Sequence, residues 1–193
     1  YLSTPSLVTN HLVFSGAAAQ ANFDTSASAT FATSTTLTVA VGGTCALNGA
    51  TNVGGTATWL NGSEAHFNNG AAWNMAGSAH VLNGGQFITD AGSDVRFRGV
   101  SHFNNGAYAY VDSGAEIRVD SGGALSIFGG GALVAAVGST VTLGGTTNVA
   151  LGTLHVTSTG SAVVDPGGSL TINGALVTTP GSLTQLQAGS GVL

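Results

Sequence analysis

The stretch from Trp59 to Gly122 repeats at a fixed interval of ~22 residues, and this repeat limits the folds open to the chain. Glycine, asparagine and apolar residues all recur at it. The matching positions are Gly62, Gly84 and Gly106; Gly70, Gly92 and Gly114; Asn61, Asn83 and Asn105; Trp59, Val81 and Phe103; Trp73, Val95 and Ile117; and Met75, Phe97 and Val119. Within each interval a glycine follows about every 7 or 8 residues, which leaves room for one short strand and one turn. Three strands and three turns per interval predict one coil of a parallel β-helix.

The predicted fold is therefore all-β: a right-handed parallel β-helix (a β-solenoid) with three short strands per ~22-residue coil. The hand follows the general preference of crossovers between parallel strands. Residues 37–193 are predicted to form one continuous solenoid, of about eight coils if part of residues 12–36 joins it. Residues 1–36 are less regular and are predicted to lead into the solenoid or cap it. Within them, residues 17–35 fit either two loose strands or a lateral cap.

Composition excludes several classes of protein. Charged residues make up 6% of the chain, with three arginines and no lysine, and glycine counts 31. Such a composition supports helices poorly. A net charge of −5 without lysine argues against binding nucleic acid, because phosphates would not be neutralised. No apolar run is long enough to span a bilayer, so no membrane insertion is expected. The chain starts at Tyr1, and we expect it to be a fragment of a longer protein.

The arginines lie on two strands that the repeat stacks on each other. Because Val95 and Phe97 are expected to face the core, the residues that alternate with them face solvent. These are Asp94, Arg96 and Arg98, one coil from Glu116, Arg118 and Asp120. Arg98 is expected to pair with Asp120, and the like-charged pairs to be neutralised by their diagonal neighbours. This third face is interpreted either as a solvated ion-pair cluster or as a polar site for an anionic or sugar ligand.

The second face combines aromatic and polar side chains. Three columns are predicted on it: Glu64, Gln86 and Tyr108; His66, Ile88 and Tyr110; and Asn68, Asp90 and Asp112. Aromatic rings beside carboxylates and amides suit a carbohydrate, so Glu64, His66, Tyr108 and Tyr110 are candidate ligand-binding residues. Asp90 and Asp112 would lie ~5 Å apart, close to the carboxyl separation of a retaining glycosidase. Any stacked β-helix imposes the same spacing, so plain surface remains the alternative.

Neither a metal nor a cofactor is expected. His80 stacks on His102, but Thr58 takes the third place in that column, so the pair lacks a third ligand. Nucleophile-elbow, zinc-protease, phosphate-loop and calcium-nonapeptide motifs are all missing from the sequence. The single cysteine, Cys45, cannot form an internal disulfide and is expected to fill a core position.

Several segments resemble the repeats of bacterial surface β-helices, for example TATWLNG, SAHVLNGG, AEIRVDSGGALSIFGGG and GSTVTLGGTTNVALGTLHVTSTG. Autotransporter passengers and filamentous-haemagglutinin-type adhesins are similar in this style, as are phage tail fibres and tailspikes. The resemblance covers roughly residues 37–189 and carries no family-specific motif, so it transfers no functional residue. It implies an elongated fibre outside the cell or on a virion tail. Tail-fibre shafts are often interleaved trimers, whereas likeness at the interval of a whole coil favours one chain coiling on itself.

The expected function is that of a non-enzymatic structural and adhesive fibre segment that presents a flat face to a receptor or glycan. The alternative is a polysaccharide-degrading hydrolase or lyase that uses Asp90 and Asp112. Tight turns from residue 37 onward favour the adhesive function, because an enzyme on this scaffold needs a groove walled by long loops. Self-association, end to end or as a trimer, is expected because both ends of a β-helix expose unpaired backbone and core.

Overall fold

The computed structural model is all-β. It describes residues 6–8, 12–15, 20–23, 28–31, 36–40, 44–47, 50–54, 56–59, 64–67, 71–82, 84–186 and 191–192. In these residues there is no helix long and apolar enough to cross a membrane.

The described residues form twenty-four strands. The first twelve are β1 (Ser6–Val8), β2 (Leu12–Ser15), β3 (Gln20–Phe23), β4 (Ser28–Phe31), β5 (Thr36–Ala40), β6 (Thr44–Leu47), β7 (Ala50–Val53), β8 (Thr56–Trp59), β9 (Glu64–Phe67), β10 (Ala72–Met75), β11 (Ser78–Leu82) and β12 (Gln86–Thr89). The others are β13 (Asp94–Phe97), β14 (Val100–Asn104), β15 (Tyr108–Val111), β16 (Glu116–Val119), β17 (Ala124–Phe128), β18 (Ala132–Ala135), β19 (Thr140–Leu143), β20 (Thr146–Val156), β21 (Ser161–Val164), β22 (Ser169–Thr178), β23 (Leu183–Leu186) and β24 (Gly191–Val192).

Each strand pairs in parallel with the strand at the same place in the next coil, which produces three faces. The third face is a 9-stranded sheet in the order β1-β4-β7-β10-β13-β16-β19-β21-β23. The first face runs from β2 through β5, β8, β11, β14 and β17 to the beginning of β20 and β22. The second face runs from β3 through β6, β9, β12, β15 and β18 to the ends of β20 and β22. A parallel β-solenoid with coils of about 22 residues is thus confirmed.

The register between coils is the one that the repeat predicts. Val81 pairs with Trp59 on one side and with Phe103 on the other. On the third face Val95 pairs with both Trp73 and Ile117. Identical side-chain positions therefore lie one above another, about 4.8 Å apart, along the axis.

Alternate residues of the strands from β8 to β17 fill a core that runs along the axis. Aromatic side chains fill it between β8 and β12, where Trp59, Trp73, Phe67 and Phe87 are fully buried. Their rings contact one another at centroid distances of 4.5–5.5 Å. Each such side chain contributes roughly 1.5–3 kcal/mol by burial. The later coils use smaller residues such as Val141, Val149 and Leu154, also fully buried.

The repeat glycines turn the chain at the corners. Gly84, Gly92, Gly106 and Gly114 all have φ between 72° and 76°, a conformation that is costly for residues with a Cβ. Asn105 precedes one of them and has a φ of 52° itself. The expected asparagine column cannot be followed further, because Asn61 and Asn83 lie outside the described residues, as do Gly62 and Gly70.

Strands also form within residues 1–36. β1 pairs with β4 and β4 with β7 on the third face. β2 pairs with β5 on the first face, and β3 with β6 on the second. Of the two arrangements open for residues 17–35, the structure has two strands, β3 and β4, each stacked on the next coil.

Coil length changes after the regular repeats, in both directions. Between the third and first faces, the connection of residues 98–99 grows to residues 120–123 in the next coil. Between the first and second faces the connection instead becomes shorter, and β20 and β22 each continue around that corner without a break.

Two glycines of one coil are expected to tolerate alanine differently. At Gly106, which has a φ of 75°, an added Cβ has nothing within 4 Å, so Gly106→Ala should cost only backbone strain. That strain is about 1–2 kcal/mol. At Gly99 an added Cβ would collide with the carbonyl oxygen of Gly77 in the coil below. Gly99→Ala should therefore destabilise the protein more than Gly106→Ala.

Urea unfolding followed by tryptophan fluorescence measures both, since Trp59 and Trp73 are buried. Gly106→Asn serves as the control and should recover part of the loss, because asparagine tolerates positive φ. Equal destabilisation by the two alanine variants would contradict this account of the corners.

Candidate functional site

The second face brings the predicted ligand-binding residues together. Its strands β9, β12 and β15 pair in register, so Glu64, Gln86 and Tyr108 form one column. The neighbouring column holds His66, Ile88 and Tyr110. These side chains are half-buried, and the inward residues between them are fully buried. We call these two columns, with Asp90 and Asp112, the tyrosine patch.

Contacts within the tyrosine patch run along the strands. His66 Nε2 lies 3.2 Å from Glu64 Oε2. The rings of Tyr108 and Tyr110 stack with centroids 6.1 Å apart and an interplanar angle of 16°. Partial burial, and then the neighbouring Tyr110, raise the pKa of Tyr108. The Tyr108 phenol thus keeps its proton at neutral pH and can donate a hydrogen bond.

Asp90 and Asp112 occupy the same place in consecutive coils. The backbone N–H groups of Asp90 and Asp112 donate to the carbonyl oxygens of Phe67 and Thr89, one coil below each. Burial raises the pKa of Asp90, and so does the charge of Asp112, while His66 opposes the shift. Asp112 Oδ1 accepts a 2.7 Å hydrogen bond from the backbone N–H of Ser113. Asn68, predicted for the same column, lies outside the described residues.

The predicted charged residues of the third face form ion pairs. Asp94 stacks on Glu116 and Arg96 on Arg118, as expected. Arg98 Nε donates to Asp120 Oδ2 at 2.9 Å, the pair predicted from the repeat. Arg96, however, pairs along its own strand with Asp94 at 2.9 Å, and not with a diagonal neighbour.

One member of this charge cluster was not predicted. Arg118 lies 3.6 Å from Asp120 and donates from Nη2 to Asp165 Oδ2 at 3.0 Å. Asp165 lies two coils further along, and Gly144 occupies the coil between them. Since Gly144 has no side chain, the Asp165 carboxylate can lie over it and reach Arg118. Glu116 accepts a 2.8 Å hydrogen bond from the Thr142 hydroxyl.

The histidine column on the first face is an aromatic stack. His80 and His102 are parallel, with centroids 5.2 Å apart. Phe128 meets His102 edge-on at 5.9 Å. Burial and the neighbouring His102 lower the pKa of His80. In the described part of the chain, no group of three or more His, Cys, Asp or Glu side chains is placed to hold a metal ion.

A cleft that the sequence analysis did not foresee opens at the corner between the first and second faces. It has a volume of about 600 Å³. Phe128 and Leu151 supply apolar surface, and Asn104, Asn105 and Asn148 supply amides. Two of these residues, Asn105 and Leu151, have positive φ. The sequence signal that could have indicated this cleft is the absence of turn residues. Residues 150–153 (ALGT) lack the asparagine or paired glycines of the corners before them.

Comparisons with known proteins add little. No family model matches the chain, and no curated protein matches it. Among solved structures it is similar to a crystal structure of a TibC-catalysed, hyper-glycosylated fragment of TibA. The identity is 19%, over 98% of this chain and 94% of that one, and the TM-score is 0.16. A superposition this poor transfers neither residues nor function.

The histidine stack is expected to make the fold sensitive to acid. Because the pKa of His80 is lowered from 6.5 in the folded protein, the unfolded chain binds a proton there more readily. Stability should therefore fall as pH drops through about 6.5. His80→Thr repeats Thr58, the residue one coil below, and removes this group. The variant should lose less stability than wild type between about pH 7.5 and about pH 5.5.

The measurement is the urea midpoint at the two pH values. His155→Thr on the second face controls for loss of a histidine in general. Equal acid sensitivity of wild type and His80→Thr would show that the stack is not responsible.

Proposed function

We propose that the chain is a structural and adhesive fibre segment that binds a receptor or glycan without chemical turnover. The observation that carries the proposal is the tyrosine patch, an aromatic and polar surface on a regularly paired parallel sheet. Stacked Tyr108 and Tyr110 offer apolar ring faces of the kind that a sugar ring covers. Glu64 and His66 lie two coils away in the same columns, and Asp90 follows the strand between them. All three can exchange hydrogen bonds with the hydroxyl groups of an extended ligand.

The rigidity of the patch supports binding. Every strand beneath it is paired on both sides, and its inward residues are fully buried. Little conformational entropy is then lost when a ligand binds, which favours affinity from a small number of contacts. The style of the repeats, shared with surface adhesins and tail fibres, supports a location outside the cell, on a cell surface or virion tail.

The third-face charge cluster is a second candidate surface for an anionic or sugar ligand. Asp94, Arg96, Arg98, Glu116, Arg118 and Asp120 lie on it. All three arginines already pair with carboxylates at 2.9–3.0 Å. An anionic ligand would have to compete with these pairs, so the tyrosine patch is preferred.

A polysaccharide-degrading enzyme is the alternative. The observation that favours it is the raised pKa of Asp90 beside Asp112, since a general acid needs a carboxyl group that stays protonated near its working pH. Against it stands the lack of walls: in residues 84–186 the strands are joined by tight turns, so no long loop encloses these carboxylates.

Binding without turnover is the expected outcome on a panel of glycans and polysaccharides. Tyr108→Ala should weaken binding by roughly two- to twelvefold through loss of one aromatic contact, and Tyr108→Phe should retain it. The measurements are a glycan array followed by titration, with released reducing ends counted in parallel. Val137→Ala, an exposed apolar residue outside the patch, is the control.

Two results would contradict the proposal. If Tyr108→Ala and Val137→Ala change binding equally, the patch is not the binding surface. If reducing ends accumulate and Asp112→Asn abolishes them, the alternative is correct.

We also propose that the solenoid associates end to end. Leu154 is fully buried, but Leu176, which pairs with it in the next coil, is 40% exposed. Val156 is likewise buried, whereas its partner Thr178 is exposed. A second subunit stacked on this coil would cover the core positions as each coil covers the one before it.

Light scattering should show a mass that rises with protein concentration, and Leu176→Lys should lower it by placing a charge in the contact. Val141→Asp, at a fully buried position, controls for general disruption of the core. A fixed mass of three chains would favour side-by-side trimers instead. A monomer at all concentrations would refute association.

A further inference from the structure

The cleft between the first and second faces exists because the corner loses residues from coil to coil. The lengths of this corner in successive coils can be compared between residues that pair across coils. Four residues, 104–107, join Phe103 to Tyr108, and four, 128–131, join their partners Ile127 and Ala132. The next coil uses three, residues 150–152, and the one after it two, residues 173–174. The corner therefore recedes beneath Phe128, and the step leaves an open cleft of about 600 Å³. That volume lies within the usual range for small-molecule sites.

Leu151 stands at this step in a costly conformation. Its φ is 55°, and its side chain is 80% exposed. The left-handed region disfavours any residue with a Cβ, and leucine gains nothing here by burial. The backbone holds it in place: the Leu151 carbonyl accepts a 2.9 Å hydrogen bond from Gly130 N–H. Gly152 packs so closely that an added Cβ would lie 2.8 Å from Ile127. A strained, exposed leucine beside a cleft is explained if its side chain contacts a ligand.

Phe128 provides a second apolar surface in the cleft, and its neighbours fix its orientation. His102 meets the Phe128 ring at 87°, and His80 stacks behind His102. The orientation of the Phe128 ring thus depends on the histidine stack of the first face. An oriented aromatic ring and an aliphatic side chain in one cleft can accommodate a flat, weakly apolar ring.

The remaining polar groups in the cleft are neutral. The side chains are the amides of Asn104, Asn105 and Asn148 and the hydroxyl of Ser126, and none of the lining residues is charged. Asn104 Oδ1 accepts a 2.6 Å hydrogen bond from the Asn105 N–H, which orients that amide. Amides and hydroxyls both donate and accept, as sugar hydroxyls require. An anionic ligand would find no cation here to offset its desolvation.

We propose that this cleft binds one neutral pyranose sugar, with the ring between Phe128 and Leu151 and its hydroxyls against the asparagine amides and Ser126. The site deepens the glycan-binding role proposed above but lies on a different surface from the tyrosine patch. Either site can therefore fail without the other. The sugar is a free glycoside or one unit of a polysaccharide, and the two sources share this chemistry.

The test is an NMR titration of the whole chain with defined probes. The neutral probes are the methyl glycosides of glucose, mannose and galactose, then the polymers amylose and mannan; glucuronate is the anionic comparison. The side-chain signals of Asn148 and Phe128 are expected to shift and saturate with a neutral probe. Phe128→Ala should weaken that affinity roughly two- to twelvefold, and Phe128→Tyr should retain it. Tyr108→Ala should leave it unchanged.

Leu151→Gly separates function from structure. Glycine relieves the positive φ, so the urea midpoint should rise while sugar affinity falls. Val137→Ala, an exposed apolar residue at another corner, should change neither. Binding of methyl glycosides, or of the neutral polymers alone, supports the site and identifies its source.

The proposal is overturned if no neutral probe shifts the cleft signals, if glucuronate is preferred, or if Leu151→Gly lowers stability and leaves affinity intact. Shifts confined to Tyr108 and Tyr110 would refute the cleft and support the tyrosine patch. Shifts confined to the cleft would support the cleft and refute the tyrosine patch.

Discussion

The parallel hydrogen bonding between consecutive coils is the constraint on which everything else in this molecule depends. A single coil has no partner for its own strand backbone and no closed core, so each coil is stable only between its neighbours. Stacking in register then places equivalent residues of successive coils in columns. A residue that faces the core therefore lies over a core residue of the coil below. One sequence interval thereby determines the core and the faces, and it places Tyr108 over Gln86 and Tyr110 over Ile88.

The parts of the structure that follow from this interval were predictable, and the irregular parts were not. The columns of Trp59, Val81 and Phe103 were confirmed, as was the pair of Arg98 and Asp120, because both rest on one constant offset. The pairing of Arg118 with Asp165 could not be predicted, because the two residues are 47 positions apart and two coils of different length lie between them. Paired residues are 24 positions apart in the first of these coils and 21 in the second. Such offsets are visible only once the backbone is traced.

The cleft escaped prediction for a related reason. Turns are recognised by glycine and asparagine, which adopt positive φ cheaply. At the receding corner Leu151 adopts it instead, and Gly152 has no asparagine or second glycine beside it. The structure has one continuous strand there, Thr146–Val156. Local sequence preference and backbone conformation thus disagree at one residue, and such disagreements are commonest at functional positions.

The two proposed sugar sites fit opposite properties of one scaffold. The tyrosine patch lies on a regularly stacked face, which spreads contacts over several coils and suits an extended chain. The cleft lies where stacking is interrupted, and the surface there is concave enough to surround a single ring. A ligand long enough to reach both would gain affinity by linkage, because binding at one site raises the effective concentration at the other. In a fibre built by end-to-end association, both sites would recur along its length. Weak affinity at each would then suffice for firm attachment to a surface that repeats its own sugars.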